Sequence, residues 1–270
     1  MYRLDLHGGR AIAVDCEGVA CAVGVPGKGL SDGKNYEFAC LQATREANAA
    51  AKALFDSGAQ EVFVWDAHGT GVNLHYDLLD ERCKIVMGSG HKGRFVGIDA
   101  SFTAVLFIGY HAKENTARAT LAHTFCSTAF QFYKINGAEV GELAIDAAFA
   151  GSYGVPVLFC ASDDCCVSEA KSLFEGVTTV VTKEALSWTS AISKQPMRVC
   201  NEIYENVVDA VSRQNKLRPY CIQGCIKVEI RYKRMDDAAK ASLYDMDGNP
   251  FVLNDSFTRS GTVRSIKDLF

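Results

Sequence analysis

The chain has 270 residues, 48% hydrophobic and 22% charged, which supplies apolar material for a sizeable buried core and excludes wholesale disorder. Its 28 Lys and Arg stand against 32 Asp and Glu, a formal net charge of -4, so no basic excess marks a nucleic-acid or anionic-membrane partner. Residues 1–10 carry Arg3, Asp5, His7 and Arg10 without an uninterrupted apolar run, and nothing later reaches the roughly 18 apolar residues of a spanning helix; the expectation is a soluble, cytoplasmic protein.

In chain order, residues 10–14 form a short apolar run ending in Asp15-Cys16-Glu17-Gly18, a buried strand followed by a turn. A glycine-broken loop leads to residues 36–55, whose Ala, Leu, Glu and Lys content and apolar spacing predict a helix stopped by Ser57-Gly58. Residues 61–65 predict a second strand closing in Asp66-Ala67-His68-Gly69, and residues 84–87 a short third. Residues 102–110 read as a strand buried on both faces that stops at Gly109-Tyr110-His111. Residues 120–125 are ambiguous between states, while Asn136-Gly137 signals a hairpin between 130–135 and 139–140. A helix over 142–153, a strand over 155–161, a helix over 167–174, a strand over 178–181 and a mostly helical stretch over 193–214 follow.

This alternation of strand and helix predicts an α/β fold, three layers α/β/α around a largely parallel sheet. Beyond Pro219 the pattern changes to an alternating strand over 226–232, a charged segment and a turn at Gly248-Asn249-Pro250. The expected organisation is a catalytic core over 1–217 and a small C-terminal α+β subdomain over 218–270, packed on the core and taking part in oligomerisation. The 11 cysteines form no paired CxxC motifs, so reduced thiols serving as core filler are expected.

Asp15 and Glu17, two apart in extended chain, present two carboxylates on one side, and Cys16 faces the other way. His68 and His111 likewise follow the carboxyl ends of predicted strands, where open α/β sheets bind ligands. Carboxylate oxygen and imidazole nitrogen together suit zinc and related divalent ions. Glu142 opening a helix and His123 twelve positions after His111 are further candidates, each with an ordinary structural explanation: the helix dipole for one, a satisfied core histidine for the other. His7, His75 and His91 sit in polar loops and read as solvent-exposed; Asp163 and Asp164 precede a helix and read as caps.

Five separated motifs, Val14-Asp15-Cys16-Glu17-Gly18, Trp65-Asp66-Ala67-His68, Gly109-Tyr110-His111-Ala112, Leu121-Ala122-His123-Thr124 and Asn136-Gly137 with Val140-Gly141-Glu142-Leu143, occur in the order and spacing of a known family. The chain resembles the bacterial zinc D-aminopeptidases associated with dipeptide-transport operons, across roughly residues 10–215. The resemblance implies that Asp15, Glu17, His68, His111 and Glu142 bind two zinc ions, with Asp15 bridging, and that His123 is the catalytic residue near the scissile bond. It further implies hydrolysis of short peptides, D-amino-acid-containing ones included. It also implies a homodecamer of two stacked pentameric rings whose active sites face a central channel. Cys16 departs from the nonpolar residue expected between the paired acids, and the segment after Pro219 matches weakly. Other readings of the same residues are a metal-dependent amidase or phosphoesterase, a non-catalytic oligomeric binding protein, and a hydrolase with Cys16 or Cys126 as nucleophile.

Overall fold

A computed structural model describes residues 8–91 and 93–270; the reading of residues 1–7, including His7, lies outside the described residues. Strands β1 (Gly9–Val14), β2 (Val62–Asp66), β3 (Lys84–Val86), β4 (Phe102–Ile108), β7 (Val157–Asp163), β8 (Thr178–Ser187) and β9 (Ser190–Ser193) form one seven-stranded sheet in the order β3-β2-β1-β4-β7-β8-β9. All pairings are parallel except β8 with β9. Helices α1 (Tyr36–Asp56) and α4 (Pro196–Arg213) cover one face through Ile12, Val14, Val62, Val64 and Leu106. Helices α2 (Glu142–Gly151) and α3 (Asp164–Leu173) cover the other through Ala11, Ala13, Val105 and Phe107. The expected three layers are present, and burial on both faces explains why these strands read as unbroken apolar runs.

A second, antiparallel sheet follows the order β11-β12-β10-β5-β6, where β5 is Phe130–Ile135, β6 Ala138–Val140, β10 Ile226–Tyr232, β11 Val252–Leu253 and β12 Thr258–Val263. Asn136 (φ 52°) and Gly137 (φ 86°) supply the left-handed turn that joins β5 to β6. Across the expected boundary at 217, β10 pairs β5 from Val228↔Ile135 to Tyr232↔Phe130. The C-terminal segment, which also carries the short helix α5 (Met235–Lys240), thus completes a sheet begun inside the core. The physical reason is α2. Every residue of α2 is buried, with Leu143, Ala147 and Ala150 facing the first sheet and Ala144, Ile145 and Ala148 facing the second. A helix with apolar residues on two opposite faces needs cover on both sides, and the second sheet supplies it as a fourth layer.

The strand predicted to end at 181 extends to Ser187 as β8 and turns back as β9. No helix among the described residues is long and apolar enough to cross a membrane.

Candidate metal centre

The strand order reverses beside β1, whose last residue Val14 pairs Asp66 on one side and Ile108 on the other. Residues just past these three strand ends therefore converge, at the crevice where such sheets take ligands. Gly18 and Gly109 let the loops close on one another. A Cβ at Gly18 would lie 2.0 Å from Tyr110 O, and one at Gly109, which has a φ of +73°, 2.1 Å from Asp15 O.

The five proposed ligands and His123 all meet there. Asp15 Oδ1 is 2.8 Å from His68 Nδ1, and Asp15 Oδ2 is 3.5 Å from His111 Nε2. Glu17 Oε2 lies 3.1 Å from His68 Nδ1, and Glu142 Oε1 lies 3.3 Å from His111 Nε2 and 3.8 Å from His123 Nε2. The His111 and His123 rings stack with centroids 3.8 Å apart. Ligand atoms of His111, His123 and Glu142 fall within 4.8 Å of one another, as do those of Asp15, Glu17 and His111. The carbonyl of Ala112 accepts from His111 Nδ1 (3.0 Å) and that of Leu121 from His123 Nδ1 (2.8 Å), so in both rings Nε2 is turned to the cluster.

Burial penalises every charge here, yet the groups compensate one another. His68 and His111 outweigh burial to hold Asp15 well below the usual carboxylate range, and His111 and Arg94 hold Glu142 down at about 2. Against the same penalty, Glu17 and Asp15 push His68 up to about 12, and Glu142 and Asp15 push His111 up to about 10. Protons on imidazole thus occupy the electrostatic role that a cation would fill. Even so, the buried atoms His111 Nε2 and Glu17 Oε2 make no well-directed hydrogen bond. Buried polar atoms are normally satisfied, so nitrogen and oxygen donors left open in this set fit zinc.

The loop carrying Glu17 is clamped from behind. Glu46 of α1 accepts from Ala20 N and Gln42 Nε2 (both 2.9 Å), while Lys183 of β8 donates to the carbonyls of Glu17, Val19 and Ala22. Burial pushes Glu46 up to about 7 from its ordinary 4.5. The sign follows: Glu46 favours the fold most when protonated, and stability falls as pH rises from 4.5 towards 7. Glu46→Gln keeps an acceptor for Ala20 and should remove that fall, on the order of 3 kcal/mol. Urea midpoints at pH 5 and 7.5 check it; a wild-type profile in the variant would refute it.

The ambiguous segment 120–125 is a loop, not a helix or strand, with Leu121 (φ 54°) and Phe125 (φ 60°) in the left-handed region on either side of His123. Trp188 secures it, donating Nε1–H to Ala122 O (3.0 Å) and accepting from Leu121 N (2.9 Å). Strained backbone held by surrounding contacts is characteristic of functional sites. A cleft of about 270 Å³, bordered by Gly29–Asp32, Gly69, Cys126–Thr128 and Trp188, opens onto the cluster. A larger cavity of about 540 Å³ on the second sheet shares no residue with the site and gathers no comparable set of ligating groups.

Residues 11–248 match the D-aminopeptidase family of peptidases.

The chain belongs to the D-aminopeptidase family.

A D-aminopeptidase of Bacillus subtilis (strain 168) is 34% identical over 211 residues, covering 77% of this chain and 75% of that protein. The solved structure of the Zn-dependent D-aminopeptidase DppA from Bacillus subtilis, a self-compartmentalizing protease, matches with a TM-score of 0.87 at 27% identity, covering 97% of this chain and 93% of that one. The chain is accordingly a metal-dependent peptidase, and neither the phosphoesterase nor the non-catalytic reading is favoured. Cys16 also fails as a nucleophile: it is buried, and its contact with Cys40 together with burial pushes the thiol well above its ordinary value.

Within this D-aminopeptidase family member, Cys126 borders the cleft, and His75, His91 and Asp163 make their contacts elsewhere. His75 pairs Glu37 at 3.5 Å, His91 is exposed, and Asp163 caps α3 by accepting from Cys166 N (2.8 Å). Sequence reasoning missed Arg94, whose Nη2 donates to Glu142 Oε2 at 3.1 Å. It lies in a polar, glycine-rich segment that carries no periodic signal.

Proposed function

We propose that this peptidase is a dinuclear zinc aminopeptidase that removes N-terminal residues, D-residues among them, from short peptides. Asp15, Glu17, His68, His111 and Glu142 would hold the two ions. The observation that carries this is Asp15, whose two oxygens face the separate imidazoles of His68 and His111, so that one carboxylate could serve two ions. Bound there, zinc supplies a Lewis acid that polarises a peptide carbonyl and eases deprotonation of water.

The chain's own groups do the rest. His123 Nε2 faces the cleft with Nδ1 fixed, so it can take or give a proton at the scissile bond. Arg94 and the Phe125 N–H hold Glu142 in place, and the cleft, at about 270 Å³, falls just below the roughly 300–1,000 Å³ of ligand pockets, which suits a small substrate. The self-compartmentalizing relative supports an assembly that encloses these clefts; the assembly we propose is a cytoplasmic homodecamer of two stacked pentamers. Light scattering should then give ten chains of 29.3 kDa.

The deciding experiment is a panel of D- and L-aminoacyl amides, di- and tripeptides and a generic phosphate ester, each with and without chelator. Hydrolysis of D-aminoacyl substrates, lost on chelation and restored by zinc, is expected, with about two zinc equivalents per chain. Turnover that survives chelation but not thiol alkylation would move the chemistry to Cys126.

A further inference from the structure

Asp146 stands one helical turn beyond Glu142 on the same face of α2, and its side chain is fully buried. Two buried carboxylates this close repel unless one takes a proton or a cation sits between them. Arg94 is that cation. Its Nε meets Asp146 Oδ1 at 2.7 Å, and its Nη2 meets Asp146 Oδ2 at 3.0 Å and Glu142 Oε2 at 3.1 Å.

We propose that Arg94 is a positioning residue that allots the two acids of α2 to different tasks, committing Asp146 to structure and reserving one oxygen of Glu142 for the metal centre. The proposal rests on the zinc reading above. Asp146 also accepts from Tyr110 Oη at 2.7 Å, so both its oxygens are engaged and it is withdrawn from the ligand set. Glu142 Oε2 is engaged as well, which leaves Oε1, steadied by the Phe125 N–H at 2.7 Å, turned toward His111 and His123. A planar fork sets Nε and Nη2 on the two oxygens of one carboxylate while Nη2 also reaches the second, a bidentate geometry that the point charge of an ammonium does not present.

The same guanidinium lies 5.1 Å from the Trp65 ring and 5.0 Å from the Phe125 ring. Tyr110 directly precedes His111, and Trp65 is three residues before His68. Arg94 therefore links β2, β4 and α2, the three elements that carry His68, His111 and Glu142, although it does not itself border the cleft.

The test measures zinc affinity by competition with a chromophoric chelator in the assembled protein, beside kcat and KM at saturating zinc. Arg94→Ala should weaken zinc binding by roughly 10–100-fold, the usual cost of losing a group that supports a metal ligand. It should lower kcat while leaving KM within about twofold, because Arg94 lies behind the ligand and off the cleft wall. Guanidinium ion at non-denaturing concentration should restore part of the affinity in Arg94→Ala and none in Arg94→Lys. Asp146→Asn should weaken zinc as well, since Arg94 is then free to draw on Glu142 alone. A folded Arg94→Ala with wild-type zinc affinity would overturn the proposal, and so would full rescue by lysine. Should the alanine variant fail to fold, wild-type affinity in both Arg94→Lys and Asp146→Asn would overturn it equally. Wild-type protein that takes up no zinc would instead sink the zinc reading itself, a different and recognisable result.

Discussion

Replacing His123 with alanine is expected to lower kcat by about 10²–10⁴-fold while the protein keeps its zinc. The imidazole is placed for proton transfer: Leu121 O fixes Nδ1, the His111 ring stacks against it, and Trp188 pins the loop on which it rides. None of these contacts carries the fold, since His123 sits at the edge of the cleft with 14% of its side chain exposed. Turnover of a D-aminoacyl amide and metal content measured on one preparation separate the outcomes. A variant that loses zinc along with activity would show that His123 is a ligand, as its placement within 4.8 Å of donor atoms of His111 and Glu142 also allows.

The second large effect is on zinc affinity, which should fall steeply on acidification. Without a cation, neighbouring carboxylates hold His68 at about 12 and His111 at about 10 against the cost of burial, so both rings are protonated at neutral pH. Each must lose that proton to ligate, and Glu142, held at about 2, is already ionised. Two protons released per binding event make affinity change on the order of 100-fold per pH unit, weaker at lower pH, across the range between those values. Calorimetry in buffers of different ionisation heat gives the proton count directly, and chelator competition at pH 6 and 8 gives the slope. A flat affinity over that interval, with no protons released, would contradict the electrostatic account of the cluster.

Much of this site is legible in the chain because parallel strands advertise themselves. β1, β2 and β4 are buried on both faces, so each reads as an apolar run, and the polar residue at its end stands out: Asp15, His68, His111. Strand 226–232 is equally plain, since alternation follows from having one buried face. The loop of His123 is harder, because its shape depends on left-handed Leu121 and Phe125, a conformation that no propensity assigns to such residues and that contacts with Trp188 and Glu142 hold.

Local pattern alone specifies the layered α/β core, the acids and imidazoles at the strand ends, and the family motifs that name their chemistry. Long-range packing settles that 226–263 shares a sheet with 130–140, that α2 is covered on both sides, and that Arg94 stands between Glu142 and Asp146. The reason is the range of the forces. Periodicity and end signals are written within a few residues, whereas β10–β5 pairing and a guanidinium clasping carboxylates 48 and 52 positions away are settled by which surfaces remain to be buried once the first sheet has formed.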